Sequence, residues 1–179
     1  MIPNYTDLGF LPPFFGDARS MGDQSPYAMT AREFVDRFGT TPERRQLTSG
    51  FLNYRQKLRD MGLRDGFQWI DGSFVEDSEA NRGRPPADLD VVTFAAILSL
   101  RSNHAELVEC LRVNAALFCR DSLRANYGCD AYYVDTTSLS PAGLVASAAY
   151  WCNLFGHDRK DALWKGFVRI DLNDDSVVL

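Results

Sequence analysis

Apolar side chains recur at steps of three and four residues along four segments of the chain, and this period predicts amphipathic helices. Thr30 and Glu33 form a capping box at the start of the first helix. Thr41 precedes Pro42 at the start of the second helix, and Gly62 lies just past its end. The predicted helices span residues 30–39, 41–62, 104–118 and 140–156.

Four other segments are short and rich in apolar, β-branched or aromatic residues, which predicts β-strands. They span residues 67–70, 88–94, 129–134 and 166–172. Because these strands interleave with the helices, the expected fold class is α/β (α+β), a mixed sheet with flanking helices. No internal repeat or linker divides the rest of the chain, so residues 29–179 are predicted to form a single domain.

Residues 1–28 differ from this periodic region because they are rich in proline, glycine and aspartate. Pro12, Pro13 and Pro26 block regular structure, so the segment is predicted to be an extended arm laid over the domain. Four apolar side chains are expected to anchor it: Phe10, Leu11, Phe14 and Phe15.

The composition of the 179-residue chain, 45% hydrophobic and 24% charged, is typical of a globular protein with one core. The longest apolar stretch, at 89–100, is far shorter than the roughly 20 residues that cross a bilayer, so no membrane association is expected. The formal net charge of −5 argues against long nucleic acid as a partner. A nucleotide substrate is compatible with it.

Cysteine and histidine usage bears on metal sites and on localisation. The chain has four cysteines without a C-x-x-C pair and only two histidines, so a structural zinc site is not expected. No basic segment followed by an apolar run occurs near Met1, so no signal peptide is predicted. These features together predict a cytoplasmic protein with reduced thiols.

Two acidic residues and a Gly-Ser pair are the main candidates for a functional site. Asp88 and Asp90 stand two residues apart on a predicted strand, so their side chains leave the same face. Adjacent carboxylates repel, and a divalent cation such as Mg²⁺ would neutralise them. Gly72 and Ser73 follow another predicted strand, where exposed backbone N–H groups can bind phosphate oxygens. A third carboxylate on a neighbouring strand would complete a two-metal site for phosphoryl transfer.

Two residues near the strand at 129–134 are candidates for this third carboxylate. Asp130 and Asp135 differ in parity, so they cannot share one face of a regular strand. Asp135 is followed by two threonines at the strand end, which favours a turn cap.

The order of strand, Gly-Ser, polar segment and Asp-x-Asp strand resembles the nucleotidyltransferase superfamily typified by DNA polymerase beta. The residues that match are Ile70-Asp71-Gly72-Ser73 and Asp88-Leu89-Asp90-Val91. The chain also resembles an uncharacterised bacterial family of small nucleotidyltransferase-like proteins, in segments 30–45, 69–75, 86–92, 129–134 and 165–172. The resemblance implies a nucleotidyltransferase-like mixed sheet.

The chain departs from the superfamily pattern in two places. The spacer at 74–87 is longer than usual because Glu79–Arg84 resembles a local insertion. Such a loop could leave the site intact or hold its two halves apart. Asp71, directly before Gly72, is not part of the pattern, and no role is assigned to it.

The resemblance implies a role for each candidate residue. Asp88 and Asp90 would bind two Mg²⁺ ions, and Asp130, at the superfamily position of the third acid, would complete the metal ligands and help to activate the attacking group. Gly72 and Ser73 would hold the triphosphate of a nucleoside triphosphate. Four cations are candidates to contact the phosphates: first Lys165 and Arg159, then Arg82 and Arg84.

Functions from two different classes follow from this resemblance. The first is a metal-dependent nucleotidyltransferase that moves a nucleoside monophosphate from a nucleoside triphosphate to an acceptor hydroxyl. The acidic balance favours a protein or small molecule as the acceptor, and small members of the superfamily often modify a partner protein encoded nearby in bacterial toxin–antitoxin or phage-defence systems. The alternative is a catalytically silent, antitoxin-like binding module that acts by occupying a partner protein. A generic α/β protein whose acids are merely solvated is a third interpretation.

Overall fold

The helices and strands follow the periodic segments of the chain. The computed structural model describes residues 2–174 and 176–177. Six α-helices occur in this part of the chain: α1 Ala31–Phe38, α2 Pro42–Asp60, α3 Ser78–Arg82, α4 His104–Val113, α5 Arg120–Tyr127 and α6 Pro141–Phe155. Five strands occur with them: β1 Tyr27–Ala28, β2 Gly66–Asp71, β3 Leu89–Ala95, β4 Cys129–Asp135 and β5 Val168–Asp171.

The five strands form one mixed sheet in the order β1-β5-β2-β3-β4. β2 runs antiparallel to both of its neighbours, β3 and β5, whereas the β3–β4 and β1–β5 pairs are parallel. The predicted α/β class, with a mixed sheet and flanking helices, is confirmed. Because β2 runs antiparallel to β3, the last residue of β2 lies beside the first residues of β3 and β4, at one end of these strands.

Both faces of the sheet are buried, and the alternation along β3 shows which residues share a face. Leu89 and Val91 belong to the larger core, together with apolar side chains of α1 and α2. Val92 and Phe94 belong to a second core on the other face, with side chains of α6. Asp90 has the parity of Val92 and therefore lies on the α6 face.

The predicted arm contains an edge strand that the sequence pattern does not reveal. β1 pairs with β5, and the Tyr27 N–H donates to the Phe167 carbonyl oxygen at 2.9 Å. A two-residue strand is too short to show a period. The neighbouring Pro26 is compatible with β1 only because the strand lies at the edge of the sheet.

The predicted anchors of the arm differ in how deeply they are buried. Leu11 is fully buried, and its carbonyl oxygen accepts a hydrogen bond from the Gly166 N–H at 2.6 Å. Phe10 and Phe15 are partly buried. The prediction is wrong for Phe14, which is 44% exposed.

Three helical segments differ from the prediction. The helix predicted over 104–118 ends at Val113, where the Asn114 amide donates to the Cys110 carbonyl oxygen, and a 3-10 turn follows. The pattern does not predict α5, because Leu123 is its one buried residue and a single position gives no period. The insertion at 79–84 overlaps α3, which has five residues and is also too short to show a period.

The longest α-helix in the described part of the chain is α2, which has 19 residues and carries charged side chains along its length. No helix within residues 2–174 and 176–177 is long and apolar enough to cross a membrane.

Candidate functional site

Three carboxylates form a row across the sheet edge where β2 ends and β3 and β4 begin. Asp71 on β2 is in register with Asp90 on β3, and Asp90 is in register with Asp130 on β4. Side chains in register on adjacent strands lie about 5 Å apart on one face of the sheet. The sequence pattern identifies Asp90 and Asp130 as site residues, and it misses Asp71.

Two arginines of α5 hold the predicted acids at the β4 side of this row. Arg124 lies 3.1 Å from a carboxylate oxygen of Asp88 and 2.8 Å from one of Asp130, and Arg120 forms a bidentate pair with Asp130. Burial acts to raise the pKa of Asp130, but the hydrogen bond from Arg120 and the charge of Arg124 outweigh it and lower that pKa. Asp88 and Asp130 are therefore already neutralised by the chain.

Asp90 differs from the other acids because no cation forms an ion pair with it in the described part of the chain. Burial raises its pKa, and the negative charge of Asp88 raises it further, while the charge of Arg159 acts in the opposite direction. A desolvated carboxylate among like charges is destabilised in its ionised form. Asp90 is thus the member of the row that gains most from a bound cation.

Asp71 belongs to a buried ion cluster. The Lys165 Nζ lies 2.9 Å from Asp71 Oδ1 and 2.8 Å from Glu76 Oε1, and all three side chains are more than nine-tenths buried. Arg82 contacts the other oxygen of Glu76 at 2.6 Å. Burial raises the pKa of Asp71 to about 6 in spite of the Lys165 charge. Lys165, expected to contact phosphates, therefore contacts carboxylates.

A cavity of about 210 Å³ opens beside the acidic row, and we call it the charged cavity. Six predicted site residues line it: Gly72, Ser73, Arg82, Asp90, Arg159 and Lys165. Its other walls come from Asp71, Glu76, His157, Asp158 and Lys160. Three predicted residues are not part of its lining: Asp88, Asp130 and Arg84.

The Gly-Ser loop is shaped by its glycine and by a buried arginine. Gly72 has a φ of 82°, and a Cβ at this position would overlap the Asp90 carboxylate. Glycine therefore lets the loop backbone approach Asp90 closely. Arg44 of α2 donates to the carbonyl oxygens of Phe74 and Glu76 at 2.6 and 2.7 Å, which fixes the segment that follows the loop.

Asp135 caps a turn, as the two threonines that follow it predict. Its carboxylate accepts hydrogen bonds from the backbone N–H groups of Leu98, Thr137 and Ser138. These bonds hold the turn after β4 and leave Asp135 outside the acidic row. The structure thus separates the two candidates for the third acid, Asp130 at the start of β4 and Asp135 at its end.

The residues of the row fit a magnesium ion held by few protein ligands. Within the described residues, no three carboxylate, imidazole or thiol side chains lie close enough together to hold a metal ion. Mg²⁺ usually keeps several waters and takes one or two carboxylates plus substrate phosphates, so a full protein cage is not required. Asp90 has no ion-pair partner within this part of the chain, whereas Asp71 Oδ1 lies 2.9 Å from Lys165 Nζ. Asp90 is therefore the carboxylate beside the cavity that is available to a metal ion.

Replacing Asp71 by asparagine is expected to change how stability depends on pH in metal-free buffer. Because the pKa of Asp71 rises from 3.8 to about 6 on folding, the folded chain keeps a proton between these values that the unfolded chain has released. The stability of the wild type therefore falls as pH rises through this window. The free energy of unfolding of D71N minus that of the wild type should therefore increase by about 2–3 kcal/mol from pH 4 to pH 7.

Urea unfolding in EDTA measures this difference, and E79Q is its control. The hydrogen bond from Arg44 lowers the pKa of Glu79, so that carboxylate stabilises the fold above its ordinary pKa and loses its effect as pH falls. Relative to the wild type, E79Q should therefore lose stability as pH rises. If the stability difference between D71N and the wild type does not change from pH 4 to pH 7, the pKa of Asp71 is not raised by burial.

The fold and the site define a class: an α/β protein with an acidic row and a Gly-Ser loop at one edge of a mixed sheet. Residues 3–171 match DUF6932, a family of unknown function, and the chain belongs to that family. Comparisons with curated proteins and with solved structures found no match. The nucleotidyltransferase resemblance therefore rests on the residues of this chain.

Proposed function

We propose that the chain is a metal-dependent nucleotidyltransferase that transfers a nucleoside monophosphate from a nucleoside triphosphate to an acceptor hydroxyl. The observation that carries the proposal is the unpaired Asp90 carboxylate at a cavity that Gly72, Ser73 and several cations also line. A nucleoside triphosphate binds as a complex with Mg²⁺. Its site therefore needs carboxylates to hold the metal ion and also cationic groups to contact the phosphates. The charged cavity supplies both.

The proposed reaction assigns a task to the groups around the cavity. The acceptor oxygen attacks the α-phosphorus, the bond from that phosphorus to the bridging oxygen of the β-phosphate breaks, and pyrophosphate leaves. Bound Mg²⁺ supplies charge neutralisation for the phosphates. Arg159 and Lys160, both exposed, line the cavity and would stabilise the negative charge of the leaving pyrophosphate.

Activation of the acceptor hydroxyl requires a carboxylate that can take its proton. The resemblance gives this task to Asp130, which Arg120 and Arg124 hold in the structure. The two arginine side chains are 51% and 48% exposed, so they can release Asp130 without opening the core. The proposal therefore includes a rearrangement of these arginines when substrate binds.

The proposed acceptor is a partner protein or a small molecule. The net charge of −5 disfavours long nucleic acid, because the phosphate backbone is bound mainly through basic side chains. A place in a bacterial toxin–antitoxin or phage-defence system, with the partner encoded nearby, comes from the family resemblance and is part of the proposal.

A catalytically silent binding module is the second candidate, and the ion pairs of the acidic row favour it. Lys165 neutralises Asp71, and Arg120 and Arg124 neutralise Asp130 and the neighbouring Asp88. In a chain without a metal ion, such cations would replace its charge. In this case the chain would act by occupying a partner protein.

Nucleotide binding and transfer distinguish the two candidates. The chain is incubated with each of the four ribonucleoside triphosphates, labelled at the α-phosphate, in Mg²⁺ or in EDTA, with a cell lysate as the source of acceptors. If the chain is an enzyme, we expect a labelled acceptor in Mg²⁺ and none in EDTA. We also expect a nucleotide present at 100 times its Kd to stabilise the fold by about 2.7 kcal/mol. The silent module predicts no label and no rise in melting temperature with any nucleotide.

A further inference from the structure

A second pocket adjoins the charged cavity and has no role in the proposed transfer of the phosphoryl group. It has a volume of about 270 Å³ and lies between the N-terminal arm, α3 and residues 158–163. Leu8, Phe10 and Leu163 form its apolar wall, and we call it the arm pocket. It shares three lining residues with the charged cavity: Arg82, Asp158 and Lys160.

The arm and α3 are fastened together where they form this pocket. The Asp77 N–H donates to the Gly9 carbonyl oxygen at 2.9 Å, and the Asn81 amide donates to the Leu8 carbonyl oxygen at 2.6 Å. A Cβ at Gly9, whose φ is 71°, would overlap the Asn81 side chain, so the arm lies directly against α3. Two segments outside the superfamily pattern, the arm and the insertion, thus form one wall together.

The side chains that separate the charged cavity from the arm pocket are only loosely paired. Arg82 and Asp158 approach each other only to 3.9 Å, which is a loose ion pair. The charged cavity, at about 210 Å³, is smaller than the roughly 300–1,000 Å³ of typical ligand pockets. It has room for phosphates but not for a complete nucleotide, so the nucleoside must lie in an adjoining space.

We propose that the arm pocket binds the base of the nucleotide whose phosphates occupy the charged cavity, an inference that rests on the proposed function. Phe10 offers an aromatic ring for stacking, and Leu8 and Leu163, at 56% and 39% exposure, offer apolar surface that a base would cover. Arg82 lines both spaces, and although it pairs with Glu76 at 2.6 Å its side chain is 39% exposed, so it can also contact the phosphate nearest the nucleoside.

A pocket beyond residues 156–165 is the competing location for the base. It is lined by Phe14, Trp164 and Phe167, and Lys165 is the residue that it shares with the charged cavity. The ammonium group of Lys165 is held in the buried ion cluster, so it does not open a passage between the two spaces. The arm pocket shares three lining residues with the charged cavity, so it adjoins that cavity more closely than the competing pocket does.

Titration calorimetry in Mg²⁺ tests the inference with two probes, tripolyphosphate and the tightest-binding of the four ribonucleoside triphosphates. Phe10→Ala and Leu163→Ala alter the apolar wall of the arm pocket from two separate segments of the chain, and Phe14→Ala is the matched control on the same arm as Phe10. Removing a stacking ring is expected to weaken nucleotide binding about 5- to 100-fold. Tripolyphosphate binding should remain unchanged in all three variants, which also shows that each variant folds.

The other outcomes overturn the inference in distinguishable ways. Loss of nucleotide affinity in F14A but not in F10A or L163A places the base in the competing pocket. Equal loss for nucleotide and tripolyphosphate in F10A and L163A shows that the arm pocket acts on the phosphates alone. A wild-type chain that binds tripolyphosphate as tightly as every nucleotide has no base subsite, and one that binds neither probe refutes the proposed function as well.

Discussion

Replacing Asp90 by asparagine is expected to abolish nucleotide transfer while making the folded protein more stable. The exchange keeps the shape of the side chain and removes the unpaired charge that faces the cavity, so activity should fall at least about 100-fold. Because burial and the charge of Asp88 raise the pKa of Asp90, its ionised form destabilises the fold at neutral pH. The melting temperature in EDTA should therefore rise.

Asp135→Asn is the matched control for this variant, since it changes the same residue type at the far end of β4. Asp135 caps a turn outside the acidic row, so D135N should retain full activity and lose about 1–3 kcal/mol of stability, as expected for hydrogen bonds to a charged group. D90N thus loses activity and gains stability, whereas D135N keeps its activity and loses stability. A D90N protein with wild-type transfer activity would remove Asp90 from the site and the proposed function with it.

The order of helices and strands is predictable from this sequence where the elements are long enough to show a period. α2 and β3 are examples, because burial requires a stripe of apolar positions along α2 and a run of mostly apolar residues at β3, where Asp90 and Thr93 are the exceptions. β1 and α3 are not predictable in this way. They owe their structure to partners elsewhere in the chain, β5 for the strand and the arm for the helix.

The acidic row shows which part of a site is local and which depends on tertiary structure. The prediction that Asp88 and Asp90 share a face follows from strand parity alone. In the structure Asp88 lies just before the first residue of β3, so this parity does not apply to it. The place of Asp71 opposite Asp90 depends on the register between β2 and β3, and 17 residues lie between β2 and β3 in the chain. No local pattern fixes such a register, although Asp71 shares the parity of the apolar Trp69 on the same strand.

The ion-pair partners of the cations are the least predictable part of the site. Arg120 and Arg124 stand four residues apart, a spacing that would place both on one face of a helix. This signal is usable only once α5 is identified as a helix, and its polar sequence gives no apolar stripe. Lys165 is identified from the sequence as a cation of the site, but its carboxylate partners depend on the fold that brings β2 and residue 165 together.

Replacing Lys165 by methionine is expected to destabilise the fold more than replacing any one acid of the row by its amide. The change leaves Asp71 and Glu76 buried without the ammonium group between them. Removing one partner of a buried ion pair costs about 3–5 kcal/mol, because the remaining charge has lost both water and its counterion. Urea unfolding at pH 7 measures the loss, and circular dichroism verifies that the variant folds.

The two carboxylates of the cluster should respond differently when Lys165 is absent. Glu76 keeps a second cation, Arg82, at 2.6 Å, whereas Asp71 has Lys165 as its one ion-pair partner in the described part of the chain. Asp71→Asn should therefore restore most of the stability lost in K165M, and Glu76→Gln should restore little, because it also strands Arg82. Equal rescue by the two substitutions would mean that the cluster shares its charge evenly. Unequal rescue, the expected result, shows that Asp71 depends on the Lys165 charge more than Glu76 does, because Glu76 retains Arg82.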